Sequence, residues 1–190
     1  NIANAVVPSV FFLSFVEGFA GKARFHDNKL STDVQFAYQA LAIDEQRTTF
    51  RPTLWEQTPG AAAKGQVLVQ SWFAGVHCNV GGGYQDSGLS DVTLHWMAAR
   101  AESCGLNLDA PWRDRLYPDV FGELRDSRVG IYRLLCRSVR GIGAKAYGCE
   151  RLHQTPRDRL QRDPTPYQPN NLLAYLRSGA VHFDFDEPSL

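Results

Sequence analysis

The residues best placed to do chemistry lie in "WFAGVHCNVGGGY", Trp72 to Tyr84. An apolar run ends at His77, and three consecutive glycines, Gly81, Gly82 and Gly83, follow it. A neutral imidazole can take a proton from a nucleophile and return it to a leaving group. Glycines let backbone approach a substrate closely or adopt positive φ. In a parallel α/β sheet, ligands and reacting groups gather at the carboxyl ends of the strands. His77 stands at such an end if residues 66–76 form a strand. The competing reading is a structural histidine in a tight turn.

Other candidates carry less. The glycine run is neither GxGxxG nor GxxxxGK[ST], and no lysine follows it, so it does not announce a nucleotide site. Its amides remain able to face an oxyanion or a phosphate head. Cys78 adjoins His77, but neighbours in an extended chain point to opposite faces, which predicts a small buried thiol rather than a dyad. Cys149 and His153 have helical i, i+4 spacing, yet two ligands make no metal site, and no metal or cofactor is expected. His95 falls inside a helical stretch, as a surface or boundary residue. Asp44, Asp86 and Asp91 could each orient an imidazole; each also suits a structural place, at a helix end, in a turn, or in a helix first turn.

The elements that must position these groups read as an α/β rhythm. Val34, Ala37, Tyr38, Leu41 and Ala42 recur at helical spacing after Ser31, Thr32 and Asp33, and predict a helix ending near Asp44 or Glu45. Residues 47–65, punctuated by Pro52, Pro59, Gly60 and Gly65, read as loop with at most one short extended piece. Residues 66–76 carry apolar side chains in both alternating sets, as expected of a strand covered on both faces. A second helix follows, with Ser90 as N-cap, Val92, Trp96 and Ala99 as its stripe, and Gly105 as its left-handed stop. Residues 128–140 suggest a further helix, with Arg133, Arg137 and Arg140 on one face, weakened by Gly130. That face could meet anionic lipid or simply be solvated. "NNLLAYL" suits a short helix, and the closing "HFDFDEPSL" a strand or a loose end. One clear strand is too few for a whole sheet.

Bulk properties narrow the class. With 190 residues and a formal net charge of zero, the chain can bury one core and has no global attraction to nucleic acid. The charge is uneven: residues 113–162 hold twelve Lys and Arg against six Asp and Glu. Four cysteines without a CxxC pair suggest reduced thiols rather than a zinc or redox centre. No signal-peptide layout is visible, and the apolar stretch 10–20 is short for a bilayer span and broken by Glu17 and Gly18. That stretch reads as a buried element. The first residue is Asn rather than Met, which suggests a fragment or processed chain.

Four segments, "FHDNKLS", "AYQALAIDEQRTTFRPTLWEQ", "VQSWFAGVHCNVGGGYQDSGLSDVTLHWM" and "GELRDSRVGIYRLL", occur in an order that resembles the catalytic-domain family of type VI secretion phospholipase effectors. The likeness runs from about Phe25 to about Leu135, with weaker echoes to "YQPNNL". It implies an α/β-hydrolase-like fold with an incomplete sheet, helices packed on it, and serine-dependent lipase or esterase activity. It also implies the role of His77, which falls in the segment matching the family's histidine motif. Many relatives carry aspartate where this chain has Asn79.

Two family features are missing. No G-x-S-x-G, the strand-turn-helix that exposes a nucleophilic serine, occurs in the sequence. The "WDTVG"-like strand end that supplies a candidate acid is also absent. The expected organisation is therefore the C-terminal part of a catalytic domain over residues 1–160, with a Pro-rich, mostly irregular tail over 161–190. The first functional expectation is the histidine-bearing portion of a phospholipase-like hydrolase, inactive without its N-terminal part. His77 would be catalytic, Gly81, Gly82 and Gly83 would shape the substrate site, and the substrate would be a lipid or other ester. Its location would be cytoplasmic, or outside the cell by a non-classical, type VI-like route. The alternative is a non-catalytic remnant or binding module whose basic segment 113–162 contacts a partner or an anionic membrane.

Overall fold

The computed structural model describes residues 28–109, 111–143, 149–162 and 166–184. The apolar stretch 10–20 lies outside them. Four strands, β1 (Phe36–Ala42), β2 (Val67–Phe73), β3 (Glu150–His153) and β4 (Phe183–Asp184), form one open, wholly parallel sheet in the order β1-β2-β3-β4. Helices α1 (His77–Gly81) and α2 (Gly88–Ser103) follow β2; α3 (Gln154–Gln161) and α4 (Asn170–Arg177) connect β3 to β4. This is the α/β fold class expected, with an unclosed sheet.

The first strand corrects the sequence reading. Residues 34–42 do not form a helix; Phe36–Ala42 pair with Val67–Phe73 along their whole length. The apolar spacing imitates a helix because both faces of β1 are buried. Ala37 and Leu41 lie toward one face, while Tyr38, Ala40 and Ala42 pack on the other. Gln39 interrupts the apolar alternation, yet it is buried too, donating through Nε2 to the Thr53 carbonyl at 3.1 Å. Its register partner Gln70 accepts from Trp55 N at 2.8 Å and donates to Trp55 O at 3.2 Å. These amides satisfy backbone groups of the loop that covers this part of the sheet, where an apolar side chain would leave them unpaired.

The sheet is covered on both sides. On one, Val92 and Trp96 of α2 pack against Ala40, Ala42, Phe73 and Val80. On the other, Leu172 and Tyr175 of α4 join Leu41, Ile43, Trp72 and Leu152. The last strand is tied to α2: Trp96 Nε1 and Arg100 Nη2 donate to the Asp184 carboxylate, each at 2.8 Å. Helix α2 begins three residues earlier than Ser90 would set it, with Ser87 at the N-cap, and Ser90 Oγ donates back to the Ser87 carbonyl at 2.9 Å. Gly105 is left-handed past its end, with φ +90°.

Residues 128–140 are not an α-helix either. Only a short 3-10 turn, Gly130–Arg133, forms there. Gly130 has φ +57°, which the interior of a right-handed helix does not accommodate. The three arginines do not share a face. Arg140 donates to the carbonyls of Ala42 and Phe50, holding the end of β1 to the following loop, and burial pushes its pKa down to about 10. Arg133 donates to the Arg128 carbonyl, and Arg137 stays exposed.

Candidate active site

The site is built where β1 and β2 end side by side. Beyond the last paired residues the two chains stay joined: Ile43 N donates to Phe73 O, and Asp44 N to Gly75 O, both at 3.0 Å. Gly75 N returns a 2.6 Å hydrogen bond to Asp44 Oδ2. Gly75 has φ +111°, and a Cβ there would stand 2.4 Å from Asn79 Cβ, so this turn admits only glycine. The turn sends the chain directly into α1, whose first residue is His77. Asp44 therefore pins the turn and does not reach the imidazole. Its neighbour Glu45 does.

Glu45 is fully buried, and its two oxygens organise the site. Oε2 lies 2.7 Å from His77 Nδ1. Arg47 donates to Oε1 from its backbone N at 2.9 Å and from Nε at 3.1 Å, and to Oε2 from Nη2 at 3.1 Å. Ser127 Oγ donates to Oε1 at 2.7 Å. Burial alone would raise the pKa of this carboxyl. The hydrogen bonds from His77, Arg47 and Ser127 outweigh it and hold the group well below the ordinary carboxylate range. Glu45 is thus a fixed negative charge.

The partners assign the histidine tautomer. A carboxylate only accepts, so the short contact to Oε2 places the proton on Nδ1. Arg47 Nη2, which donates to Glu45 Oε2, also lies 2.8 Å from Nδ1 and 3.3 Å from Nε2; an arginine only donates, so with Nδ1 protonated its ring partner is Nε2. Nε2 is then the acceptor. Cys78 Sγ lies 2.9 Å from it. This overturns the expectation of opposed side chains: residues 77 and 78 are in a helix, where consecutive side chains are not set on opposite faces. The thiol itself is held protonated, its pKa raised first by burial, with Glu45 adding to that and Arg47 opposing it.

Aromatic walls complete the arrangement. Phe50 packs on His77 with centroids 4.6 Å apart, and the Arg47 guanidinium lies 3.7 Å from the Phe50 centroid and 4.7 Å from that of Tyr132. The His77 side chain keeps 29 % of its surface open to solvent. Asn79 sits behind it, buried, accepting from Val76 N and Arg125 N at 3.3 Å each and donating to Glu123 O at 2.9 Å. It thereby draws in the segment that delivers Ser127 to Glu45. An amide serves both roles at once, donating to one carbonyl while accepting from two amides.

The remaining sequence candidates are dispersed. Gly81 ends α1 on the surface; Gly82 and Gly83 follow with φ +87° and +112°, and a Cβ on Gly83 would stand 3.9 Å from Cys78 Sγ. Gly83 thus passes beside the thiol. Asp86 accepts from Gly88 N and Glu123 N, and Asp91 from Ser87 Oγ and Tyr117 N, so both are loop clamps. His153 is buried against Phe73, and Cys149 precedes it on an extended segment rather than a helix. Among the described residues no group of three or more His, Cys, Asp or Glu could hold a metal ion. Reasoning from sequence missed Glu45 and Arg47. The signal was present: acidic and basic residues just past β1 become rim residues once β1 is a strand rather than a helix.

The family described as "T6SS, Phospholipase effector Tle1-like, catalytic domain" matches residues 4–100. That span covers β1, β2, α1 and most of α2, and so Glu45, Arg47 and His77 with them. No curated protein and no solved structure matches the chain. The chain belongs to this phospholipase effector catalytic-domain family.

Proposed function

We propose that this member of the Tle1-like phospholipase effector family supplies the acid–base histidine for hydrolysis of lipid esters. His77 Nε2 takes the proton of an attacking serine hydroxyl and returns it to the departing alcohol. Glu45 fixes the Nδ1–H tautomer and stabilises the imidazolium that forms. Arg47, bound to Glu45 and packed on Phe50, keeps that carboxylate ionised and in place. Backbone at Gly81, Gly82 and Gly83 borders the substrate. The serine belongs to polypeptide outside this sequence, since no G-x-S-x-G occurs within it.

The observation that carries this reading is the 2.7 Å contact between a buried carboxylate and a partly exposed imidazole just past adjacent strand ends. A structural histidine in a turn needs no ionised partner with four further hydrogen bonds. The test uses a longer polypeptide that carries this sequence together with the serine motif. There His77→Ala should lower phospholipid ester turnover by about 10³-fold or more. Near-normal turnover would remove the reading.

A membrane-contact role for the basic segment 113–162 has one observation in its favour. Val129, Ile131, Leu134 and Val139 are all more than half exposed, and exposed Arg133 and Arg137 lie among them. Apolar side chains interleaved with cations suit an anionic lipid surface. Tyr132 of the same turn faces Arg47, so this surface adjoins the histidine site. The two roles are compatible, the surface bringing lipid to His77.

A further inference from the structure

We propose that Cys78 is itself a nucleophile, with Glu45, His77 and Cys78 forming a carboxylate–imidazole–thiol relay that accepts the acyl group of an ester. The inference rests on the reading of His77 as a general base in ester chemistry, and extends it to a nucleophile that this chain carries itself. Three observations lead to it. The relay is continuous: Glu45 Oε2 to Nδ1 is 2.7 Å, and Nε2 to Cys78 Sγ is 2.9 Å. Both His77 and Cys78 remain partly open to solvent, so an ester can reach the sulfur. Gly83 passes beside Sγ without a side chain, leaving room on that flank for a carbonyl group.

The four cysteines differ sharply in setting. Cys104 and Cys136 are exposed, and Cys149 is buried, donating to Gln57 Oε1 at 3.5 Å. Cys78 alone among them contacts a histidine whose other nitrogen meets a carboxylate. Burial keeps its thiol protonated at rest, so it would act like a serine, through general-base removal of the proton, rather than as a preformed thiolate.

The step balances without any redox partner. Sγ attacks the ester carbonyl carbon while its proton passes to Nε2. The tetrahedral intermediate collapses, the bond from carbonyl carbon to alkoxy oxygen breaks, and the alcohol leaves with the Nε2 proton. A thioester on Cys78 results. Water, deprotonated by Nε2, then attacks the thioester carbon; the carbon–sulfur bond breaks, the thiol recovers its proton and the carboxylic acid departs.

The test is acylation of the 190-residue chain by p-nitrophenyl butyrate at neutral pH, followed by peptide mass spectrometry of each cysteine. Cys104 and Cys136 are exposed internal references that need no variant. Cys78 should acylate about 100-fold faster than either, and His77→Ala should bring it down to their rate. Acylation of Cys78 no faster than Cys104 and Cys136 would overturn the thiol proposal, as would fast acylation that persists in His77→Ala. A Cys78→Ala variant of the longer, serine-containing polypeptide separates the two ideas. If it keeps lipid turnover while His77→Ala loses it, the hydrolase reading stands whatever the thiol does. If His77→Ala also keeps turnover, the hydrolase reading falls.

Discussion

Glu45 Oε2 and His77 Nδ1 are 2.7 Å apart, although 32 positions separate the two residues in the chain. They meet because β1 and β2 are parallel neighbours whose ends remain hydrogen-bonded past the sheet, through Asp44 and Gly75. A parallel sheet brings corresponding strand ends to one rim, and Glu45 and His77 both lie just past it.

The carboxylate charge should matter more than its bulk. Glu45→Gln places an amide against Nδ1 that can donate as well as accept, which permits the wrong imidazole tautomer. In the serine-containing polypeptide, kcat should fall about 10³–10⁴-fold with little change in KM. Steady-state kinetics on a soluble ester would check this split.

Adjacent carboxylates should respond to pH with opposite sign. Glu45 has a folded pKa held below its ordinary 4.5, so its contribution to stability is full above that value and is lost as pH falls toward the folded one. Asp44 is raised above its ordinary 3.8, chiefly by burial, with bonds from Gly75 and Tyr167 opposing the rise. Its contribution is present below that value and lost as pH rises through the folded pKa. Urea unfolding across pH 3–7 should therefore show Glu45→Gln costing more at pH 7 than at pH 3. Asp44→Asn should instead become more favourable, relative to wild type, as pH rises.

The turn before His77 is sterically committed. Gly75→Ala adds a Cβ at φ +111° and 2.4 Å from Asn79 Cβ, with neither side able to yield without moving α1. The expected loss is about 3 kcal/mol or more in denaturant unfolding. The same change at Gly60, where a Cβ meets nothing within 4 Å, should cost only the positive-φ strain, about 1 kcal/mol.

Exposed apolar residues near the site give a separable effect. Ile131→Glu and Leu134→Glu alter side chains that are 71 % and 86 % exposed, so stability should change by no more than about 0.5 kcal/mol. Binding to anionic vesicles, measured by co-sedimentation, should fall about tenfold or more for the pair, as both lost burial and added charge oppose it.

How far the sequence revealed this arrangement depended on how each element buries itself. β2 was legible as an apolar run bounded by Gly65 and Gly75, and α2 by its acidic first turn, its Trp96 stripe and its Gly105 stop. β1 was not, since its apolar residues also recur at helical spacing behind Ser31, Thr32 and Asp33, which imitates a capped helix. That one error concealed Glu45, because a carboxylate at a helix end suggests nothing about a histidine beyond β2. β3 is only four residues long, and its burial comes from Glu150 and His153 as much as from Leu152, so no hydrophobic pattern marks it. Residues 128–140 misled in the opposite way: their apolar residues face solvent, so the spacing reported a surface rather than a core. Cys78 would face away from His77 on an extended chain, but β2 ends at Phe73, the chain turns at Gly75, and both residues lie in α1.

A buried, ionised Glu45 holds His77 with its proton on Nδ1 and Nε2 as acceptor. Proton and nitrogen NMR of the chain labelled at histidine reads this most directly. His77 should show the Nδ1–H tautomer at neutral pH, with a downfield Nδ1 proton that vanishes in Glu45→Gln. An Nε2–H tautomer, or a ring resonance indifferent to Glu45→Gln, would contradict it.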